Sequence, residues 1–468
     1  MFGGQPAASC CGRCRRMTRL SRVTWPGAEL ARVRMVHLGL GAFHRAHQAW
    51  WTGEVSRDDP WGIAAFTGRQ LRAATALAEQ DGLFTLLVRT AEGDHAQVVS
   101  SVSRAMDGAD VGAFTTCLAD PAVRVLTLTV TEAGYCRGDN GGLDMSHPDV
   151  AADLPRLSQG PQDFTPIRSA PGRVVAGLLR RRQADAGPLA IVPCDNLIDN
   201  GGVLRRVVLQ LADAVDPALP GWIEESVSFV STAVDRITPR TTADDVAAAC
   251  RLIGRGDHAP VVTEPFREWV LAGAFPGGRP AWEQAGARIV DDVTPYEQRK
   301  LWLLNGAHSM LAYGGLLRGH ATVADAIGDG TCRHWVEEWW DEASAHLRQP
   351  ASVLADYREQ LLLRFANPRM RHLLSQIAVD GSQKLRVRAV PVLRRERAAG
   401  RRGGAALRML ACWIAYLRSV PDDPQDPPAR PLRGRSRDLL GLLEPELSAE
   451  TDLVADLDEL VAEHTGGE

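Results

Sequence analysis

The sequence contains no apolar run long enough to cross a membrane, and its first 22 residues hold no segment that would serve as the core of a signal peptide. It also lacks an excess of either charge, since 53 basic residues stand against 57 acidic ones. The nine cysteines are odd in number and scattered, which does not suit a secreted disulfide framework. We therefore predict a cytoplasmic protein that binds neither membranes nor nucleic acids.

A second pair of metal-binding cysteines is also lacking. Cys10, Cys11 and Cys14 lie in an Arg-rich stretch and offer three zinc ligands, but no further Cys pair follows at a suitable spacing. They belong to residues 1–22, which we predict to be a disordered N-terminal extension. We therefore predict no metal.

What the sequence does contain is enough chain for two cores, because 468 residues exceed one ordinary domain. Strand-like and helix-like segments alternate in the first half, and from about Pro295 the pattern changes to long helical runs. The predicted fold class is α/β. Residues 23–293 form a Rossmann-like, doubly wound dinucleotide-binding domain, and residues 294–468 form a mainly α-helical domain for substrate binding and catalysis. Within the second domain, the basic stretch 394–404 is predicted to be a loop.

A glycine-rich turn follows the first predicted strand. Val33–Leu38 reads as a buried strand and runs into Gly39-Leu-Gly41-Ala-Phe-His44, after which the sequence has helical character. Two glycines would let the backbone approach a pyrophosphate at a helix N-terminus. The third glycine of the dinucleotide fingerprint is replaced by His44, so this signal is weak by itself.

A second polar pattern interrupts an apolar segment, Lys300-Leu-Trp-Leu-Leu-Asn305-Gly-Ala-His308. At about 100° per residue on an α-helix, His308 lies about 80° and Asn305 about 140° from Lys300, so the three side chains can line one side. A buried lysine loses solvation of its charged form and becomes a base near neutral pH. The alternative is a lysine at the edge of a core helix beside a hydrogen-bonded histidine.

Taken together, Gly39–Gln48 and the Lys-x4-Asn-x2-His pattern resemble the polyol-specific long-chain dehydrogenases, the mannitol dehydrogenase and fructuronate reductase family. The resemblance extends from about Leu20 to the C-terminus. Other segments match in the family's order, namely Leu128–Tyr135, Cys194–Asn196, Val234–Pro239, Glu264–Arg267, Val293–Glu297 and Asp380–Lys384.

The resemblance implies a zinc-independent oxidoreductase in which Lys300 is the general acid/base. Asn196 and Asn305 match the family's amide donors to the developing alkoxide. Glu297 matches a glutamate that exchanges protons with the base, although an ordinary i, i+3 ion pair explains it equally well. His44 and His47 look like a ligand pair at i, i+3, but we expect them to shape the coenzyme turn.

Further positions match substrate-binding residues of the family. His308 matches a contact to a substrate hydroxyl, and Lys384 matches a substrate-binding lysine. Gln376 stands where mannitol-oxidising members tend to have arginine, so the segment looks closer to the fructuronate reductase branch. Asp235 and Arg236 match a pair near the site, and a buried structural ion pair is an equal alternative.

The coenzyme implied by the resemblance is NAD, with NADP not excluded. The second predicted strand ends at residues 66–69 without the carboxylate that binds the adenosine ribose in NAD-dependent folds, and Arg69 could instead contact a 2′-phosphate. Glu132 follows another strand and is expected near the coenzyme. The full set of predicted coenzyme contacts is Gly39, Gly41, Ala42, Phe43, His44, Arg45, Arg69 and Glu132.

The expected activity is hydride transfer that interconverts a mannitol-type polyol and its ketose. Reduction of fructuronate to mannonate is the alternative within the class, and a non-catalytic dinucleotide sensor is the alternative from another class. The expected partners are a small polyol, ketose or hexuronate and a nicotinamide coenzyme. The protein is expected to be a monomer or small homo-oligomer.

Overall fold

The computed structural model of the protein describes residues 17–55, 59–68, 71–138, 140–160, 166–420, 425–432 and 434–465. The chain divides into two compact units, residues 1–294 and 295–468, and each is described by itself. No helix in the described ranges is long and apolar enough to span a bilayer.

Unit 1 is built on a six-stranded sheet in which every neighbouring pair is parallel. The strand order is β5-β2-β1-β6-β7-β8. Because the order runs outward in both directions from β1, the cleft beyond its carboxyl end is the switch point where ligands bind in such folds. The six strands are β1 (Val33–Leu38), β2 (Gly62–Phe66), β5 (Val102–Met106), β6 (Val125–Leu128), β7 (Leu189–Pro193) and β8 (Val227–Phe229).

Two three-stranded sheets complete the strands of unit 1. In the first sheet, β3 pairs parallel with β10 and antiparallel with β4. In the second sheet, β11 pairs antiparallel with β9 and parallel with β12. These strands are β3 (Phe84–Arg89), β4 (Asp94–Val99), β9 (Ser231–Asp235), β10 (Val261–Thr263), β11 (Glu268–Ala272) and β12 (Arg288–Ile289).

Helices cover both faces of the large sheet because successive strand residues point to opposite sides. Val36 of β1 joins one buried cluster, and its neighbour Met35 joins the other, which includes the tryptophans Trp50, Trp51, Trp269 and Trp282. The helices are α1 (Ala42–His44), α2 (Trp50–Glu54), α3 (Arg72–Ala78), α4 (Val111–Leu118), α5 (Pro148–Ser158), α6 (Ala170–Gln183), α7 (Asn200–Val215), α8 (Leu219–Ser226) and α9 (Ala243–Ile253). A π turn (Arg45–Ala49) and 3₁₀ turns (Glu132–Tyr135, Trp282–Ala285) add to them.

The N-terminal segment is packed where it is described. Leu20 is fully buried in a cluster with Ala28 and Leu83. Arg22 donates to the backbone carbonyls of Ser100 and Val102 at 2.8 and 3.0 Å. Residues 17–22, expected to be disordered, therefore belong to the packed unit. Cys10, Cys11 and Cys14 lie outside the described residues.

Unit 2 consists of helices, and its described residues contain no strand beyond one isolated bridge, Thr322 with Leu373. The helices are α10 (Thr294–Arg299), α11 (Ala307–Leu317), α12 (Val323–Gly328), α13 (Gly330–Ser344), α14 (Ala351–Phe365), α15 (Leu374–Ile377), α16 (Gly381–Arg388), α17 (Val390–Ala398), α18 (Gly404–Ser419), α19 (Ser436–Leu443), α20 (Pro445–Ser448) and α21 (Thr451–Thr465). A π turn (Lys300–Gly306) joins α10 to α11, and 3₁₀ turns occur at Pro368–Met370 and Arg430–Leu432.

The predicted α/β fold with a mainly helical second part is confirmed. Two local predictions are wrong. Residues 394–398 lie in helix α17 instead of a loop, whereas 401–403 have no regular structure, as predicted. Arg394 and Arg397 pair with acids about fifty residues later, Glu444 and Asp452. The segment from Lys300 is a π turn instead of an α-helix.

Candidate active site

The glycine-rich turn closes tightly over the end of β1. Gly39 has φ +113°, and a Cβ there would lie 2.3 Å from the carbonyl oxygen of Thr129, so only glycine fits. The amides of Gly39 and Leu40 both donate to the carbonyl of Phe66 at the end of β2. Gly41 differs, because its backbone is extended and a Cβ would meet nothing closer than 3.6 Å.

A cavity of about 270 Å³ opens beside this turn. Its walls come from the carboxyl ends of β1, β2 and β6 and from the start of α6, as expected at a switch point. Sequence reasoning missed the contribution of Arg168 and Arg173, whose signal would have been two arginines flanking a predicted helix N-terminus. The lining includes Leu38, Gly39, Gly68, Thr129, Val130, Thr131, Ala133, Gly134, Arg168, Ser169, Ala170 and Arg173.

Ala42 and Phe43 begin the helix after the turn, but His44 and Arg45 point into the unit. The buried ring of His44 stacks on His37 with centroids 3.4 Å apart, and burial, followed by the neighbouring His37, holds its pKa well below the usual value. Arg45 donates to the carbonyls of Gly41 and Ala259 at 3.1 and 2.5 Å. Both side chains therefore support the glycine turn from inside unit 1.

His47 uses both of its ring nitrogens in hydrogen bonds. Nε2 donates to the carbonyl of Glu268, and Nδ1 accepts from Gln48, each at 3.1 Å. An imidazole whose two nitrogens are engaged offers no lone pair to a metal. His47 is therefore held in the packed turn. Arg69 lies outside the described residues.

The loops after β6 and β7 are tied together by the half-buried carboxyl of Asp195. The hydroxyl of Tyr135 donates to Asp195, and burial raises the pKa of Asp195 to about 6. Asn196 follows immediately and is exposed at the end of β7, while Glu132 is exposed in the loop after β6. Asn196 and Glu132 are thus brought to the same edge of the sheet, where parallel strands end.

Asp235 and Arg236 are both buried at the end of β9. The Arg236 guanidinium donates to the carbonyl of Ala46 at 2.5 Å and lies 5.0 Å from the ring centre of Trp50. Burial lowers the pKa of Arg236 to about 10. Arg236 therefore supports the helix after the glycine turn through its backbone.

In unit 2, the π turn changes the geometry predicted for the Lys-Asn-His pattern. Lys300 and Asn305 are five residues apart, which is the i→i+5 hydrogen-bond spacing of a π-helix, so they are a little more than one turn apart. A π-helical backbone therefore brings the two positions closer to one side than an α-helix, which would put them about 140° apart. Both side chains are half-buried.

His308 follows the π turn and is buried. Its Nε2 has no hydrogen-bond partner within the part of the chain that the structure describes. His372 lies edge-on at 5.0 Å and Phe365 at 4.9 Å between ring centres. Burial, and next the positive groups His372, Arg364, Arg388 and Lys300, hold the pKa of His308 well below its usual value. The ring is neutral at physiological pH.

Glu297 lies half-buried in α10, one turn before Lys300. The other two predicted substrate contacts, Gln376 and Lys384, line one cavity of about 530 Å³. The Lys384 amine donates to the carbonyls of Ile377 and Val379 at 3.0 and 2.5 Å. Burial lowers its pKa. Lys384 therefore also caps the end of α15.

A sheet of this order with a glycine turn at its switch point defines a dinucleotide-dependent oxidoreductase. The profile of the mannitol dehydrogenase Rossmann domain matches residues 33–284, and that of the mannitol dehydrogenase C-terminal domain matches residues 292–441. The chain belongs to the mannitol dehydrogenase family, and several of its relatives are named dehydrogenases or oxidoreductases of polyols or of mannonate. The family prediction made from the sequence is confirmed.

Individual relatives cover most of the chain. An uncharacterized oxidoreductase of Escherichia coli K12, YeiQ, is 39% identical over 83% of this chain and 80% of its own length. The D-mannonate oxidoreductase of the same organism is 36% identical over 86% and 83%. The structure of Pseudomonas fluorescens mannitol 2-dehydrogenase with NAD and D-mannitol is similar with a TM-score of 0.79, 32% identity and coverage of 96% and 94%.

Proposed function

We propose that this protein interconverts a secondary alcohol of an open-chain, mannitol-type polyol and the corresponding ketose, with Lys300 as the general acid/base and without a catalytic metal. The observation that carries the proposal is the π turn, whose backbone places residues Lys300 and Asn305 about one turn apart. His308, with an unpartnered buried nitrogen, follows on the same segment.

Unit 1 fits a nicotinamide dinucleotide, and NAD is the proposed coenzyme. A Cβ at residue 41 would clash with no protein atom, so we infer that the glycine leaves space for a ligand at the start of α1. Ala42 and Phe43 offer backbone amides at the start of α1, and Thr129 and Thr131 line the cavity beside Gly39. When bound, the coenzyme accepts or supplies the hydride. A preference for NADP above about tenfold in kcat/KM would instead favour a role of Arg69 toward a 2′-phosphate.

Proton transfer is assigned to unit 2. A neutral Lys300 amine takes the hydroxyl proton as the alcohol is oxidised, and the ammonium returns it when the ketone is reduced. Amide donors stabilise the oxygen as negative charge develops, and Asn305 and Asn196 match the positions that supply these donors in the family. His308 holds a substrate hydroxyl through Nε2, Glu297 exchanges the proton with Lys300, and Lys384 and Gln376 bind the far end of the substrate. Asp235 and Arg236 act indirectly.

Fructuronate reduction to mannonate is a second candidate, which three observations favour. Gln376 stands where the resemblance to mannitol oxidisers would call for arginine. Three cations, Lys300, Arg364 and Arg388, act on the neutral His308. A relative that covers most of the chain is named D-mannonate oxidoreductase. A carboxylate on the substrate would be attracted by these charges.

The experiment is a nicotinamide absorbance assay with D-mannitol, D-arabinitol, D-fructose, D-fructuronate and D-tagaturonate. Lys300→Ala should lose at least about 10²-fold in kcat while coenzyme affinity, measured by calorimetry, stays unchanged. Full activity of Lys300→Ala would overturn its role as acid/base. Coenzyme binding without turnover of any of these compounds by the wild-type protein would instead favour a dinucleotide sensor.

A further inference from the structure

Two tryptophans of α13 hydrogen-bond to the π turn that carries Lys300 and Asn305. The indole N–H of Trp339 donates to the carbonyl of Trp302 at 2.7 Å, and that of Trp340 donates to the carbonyl of Leu303 at 2.8 Å. Both indole side chains are essentially completely buried. Neither tryptophan has a place in the chemistry described above.

These donors suit the backbone they contact. A π turn is held by i→i+5 bonds where an α-helix has i→i+4 bonds, and each carbonyl oxygen has a second lone pair that can accept a side-chain donor. Buried carbonyls need a donor, because water cannot reach them. The carbonyl of Asn305, two residues further along, receives the guanidinium of Arg388 at 3.1 Å. Three carbonyls of the seven-residue π turn thus accept side-chain donors from other helices.

Gly306 makes the approach of Trp339 geometrically possible. A Cβ at residue 306 would lie 2.5 Å from the indole Nε1 of Trp339 and 2.7 Å from two of its ring carbons. The backbone of Gly306 is ordinary helix, with φ −63°, so glycine is needed there for space. Trp340 also stacks with Phe365, which contacts the ring of His308.

We propose that Trp339 and Trp340 are positioning residues whose indole N–H groups keep the π turn in place and so keep Asn305 one turn from Lys300. If the donors are removed, the segment is free to relax toward α-helical spacing, which would rotate Asn305 away from Lys300. This inference rests on the proposed roles of Lys300 and Asn305. The two residues act through the backbone and need no contact with substrate.

The test compares Trp339→Phe, Trp340→Phe and the double variant, which keep an aromatic ring but lose the N–H donor. Trp335→Phe is the matched control, because Trp335 lies on the same helix and packs against His464 instead of the π turn. We expect kcat for D-fructuronate or D-mannitol to fall about 10- to 100-fold in the double variant, as for a small misplacement of catalytic groups, with coenzyme affinity unchanged. The solvent deuterium isotope effect on kcat should rise, because proton transfer becomes slower.

A readout independent of turnover is amide hydrogen exchange. Peptides that cover residues 300–309 should exchange faster in the double variant and in Gly306→Ala, and should be unchanged in Trp335→Phe and in Gly328→Ala, where a Cβ meets nothing. Unchanged exchange overturns the inference, as does faster exchange with an unchanged kcat. If Lys300→Ala is inactive but the tryptophan variants keep their kcat, this inference fails and the proposed function stands. If Lys300→Ala is fully active, both fail.

Discussion

At the scale of single residues, the two glycines of the first turn have different reasons to be glycine. Gly39 is required by its own fold, because its φ is positive and the carbonyl of Thr129 occupies the space of a side chain. Gly41 meets neither constraint. The sequence motif does not distinguish the two positions. The structure does, because it shows that Gly39 is required by the backbone and that Gly41 leaves space for a ligand.

Alanine substitutions at these two positions should therefore affect different properties, stability at Gly39 and coenzyme affinity at Gly41. Gly39→Ala should destabilise the protein by about 1–3 kcal/mol, because the strained backbone and the clash must both be relieved. Gly41→Ala should leave stability within about 0.5 kcal/mol of wild type and weaken NADH binding about tenfold. Urea unfolding and calorimetric titration measure the two effects. Equal loss of stability in both variants would contradict this distinction.

Asp195 gives a prediction for pH dependence. Burial raises its pKa to about 6, and the hydrogen bond from Tyr135 offsets only part of that effect. The unfolded value is about 3.9. The native state therefore binds the proton more tightly, so the contribution of this group to stability is complete below about pH 4 and is lost as the pH rises through about 6.

The Asp195→Asn variant has no carboxyl to titrate at this position, so its unfolding free energy should not fall with pH for this reason. The unfolding free energy of wild type relative to Asp195→Asn should fall by about 2–3 kcal/mol between about pH 4 and pH 7. Urea unfolding across this pH range measures it, and Asp213→Asn on the exposed side of α7 is the control, expected to run parallel to wild type. A constant difference between wild type and Asp195→Asn would show that the carboxyl does not titrate in this range.

At the scale of elements, the alternation of residue types predicted the strands and helices around the glycine turn correctly. It failed where an element depends on distant partners. The arginines of α17 looked like a solvated loop because their acids are about fifty residues away in sequence. The π turn was unpredictable for a related reason, since its carbonyls are satisfied by indoles nearly forty residues later. The side chains of His44 and Arg45 pack inward beneath the turn, and contacts of either residue with a coenzyme stay a prediction.

The short helix α16, which carries Lys384, depends on a buried carboxyl. Asp426 accepts from the amide and the hydroxyl of Ser382 at 2.7 and 2.5 Å and from the indole of Trp413 at 3.2 Å. Asp426→Ala leaves these buried donors without an acceptor, and we expect a loss of about 2–4 kcal/mol in stability. Asp458→Ala, on the exposed side of α21, should be near neutral. Urea unfolding measures both, and equal effects would contradict the anchoring role.

At the scale of the whole molecule, the sequence predicted the order of the two units and the family, because several short motifs occur in a fixed order along the chain. The sequence identified Lys300, Asn305 and His308 as the polar residues of this segment of unit 2. It did not predict the π turn, because spacing along the chain does not reveal the type of helix. The role of each residue toward substrate stays a prediction. No single residue of a sequence motif identifies the substrate.

Catalysis without a metal is a prediction about the whole enzyme. Prolonged incubation with EDTA followed by gel filtration should leave kcat within about twofold of the untreated protein, because an amine and two amides are proposed to do what a Lewis acid does elsewhere. The absorbance assay in chelated buffer measures this. Loss of activity that added zinc restores would overturn the prediction, and a loss that zinc does not restore would indicate damage from the treatment.

Five tryptophans packed on one face of the large sheet give unit 1 a built-in optical probe, namely Trp50, Trp51, Trp61, Trp269 and Trp282. Trp50 and Trp51 belong to the helix that begins at the glycine turn, and Trp269 and Trp282 pack against each other with ring centres 4.5 Å apart. Reduced nicotinamide absorbs where excited indoles emit. Excitation of the tryptophans should therefore make a bound reduced coenzyme fluoresce by energy transfer. Coenzyme binding can then be followed without a label and before any substrate is known.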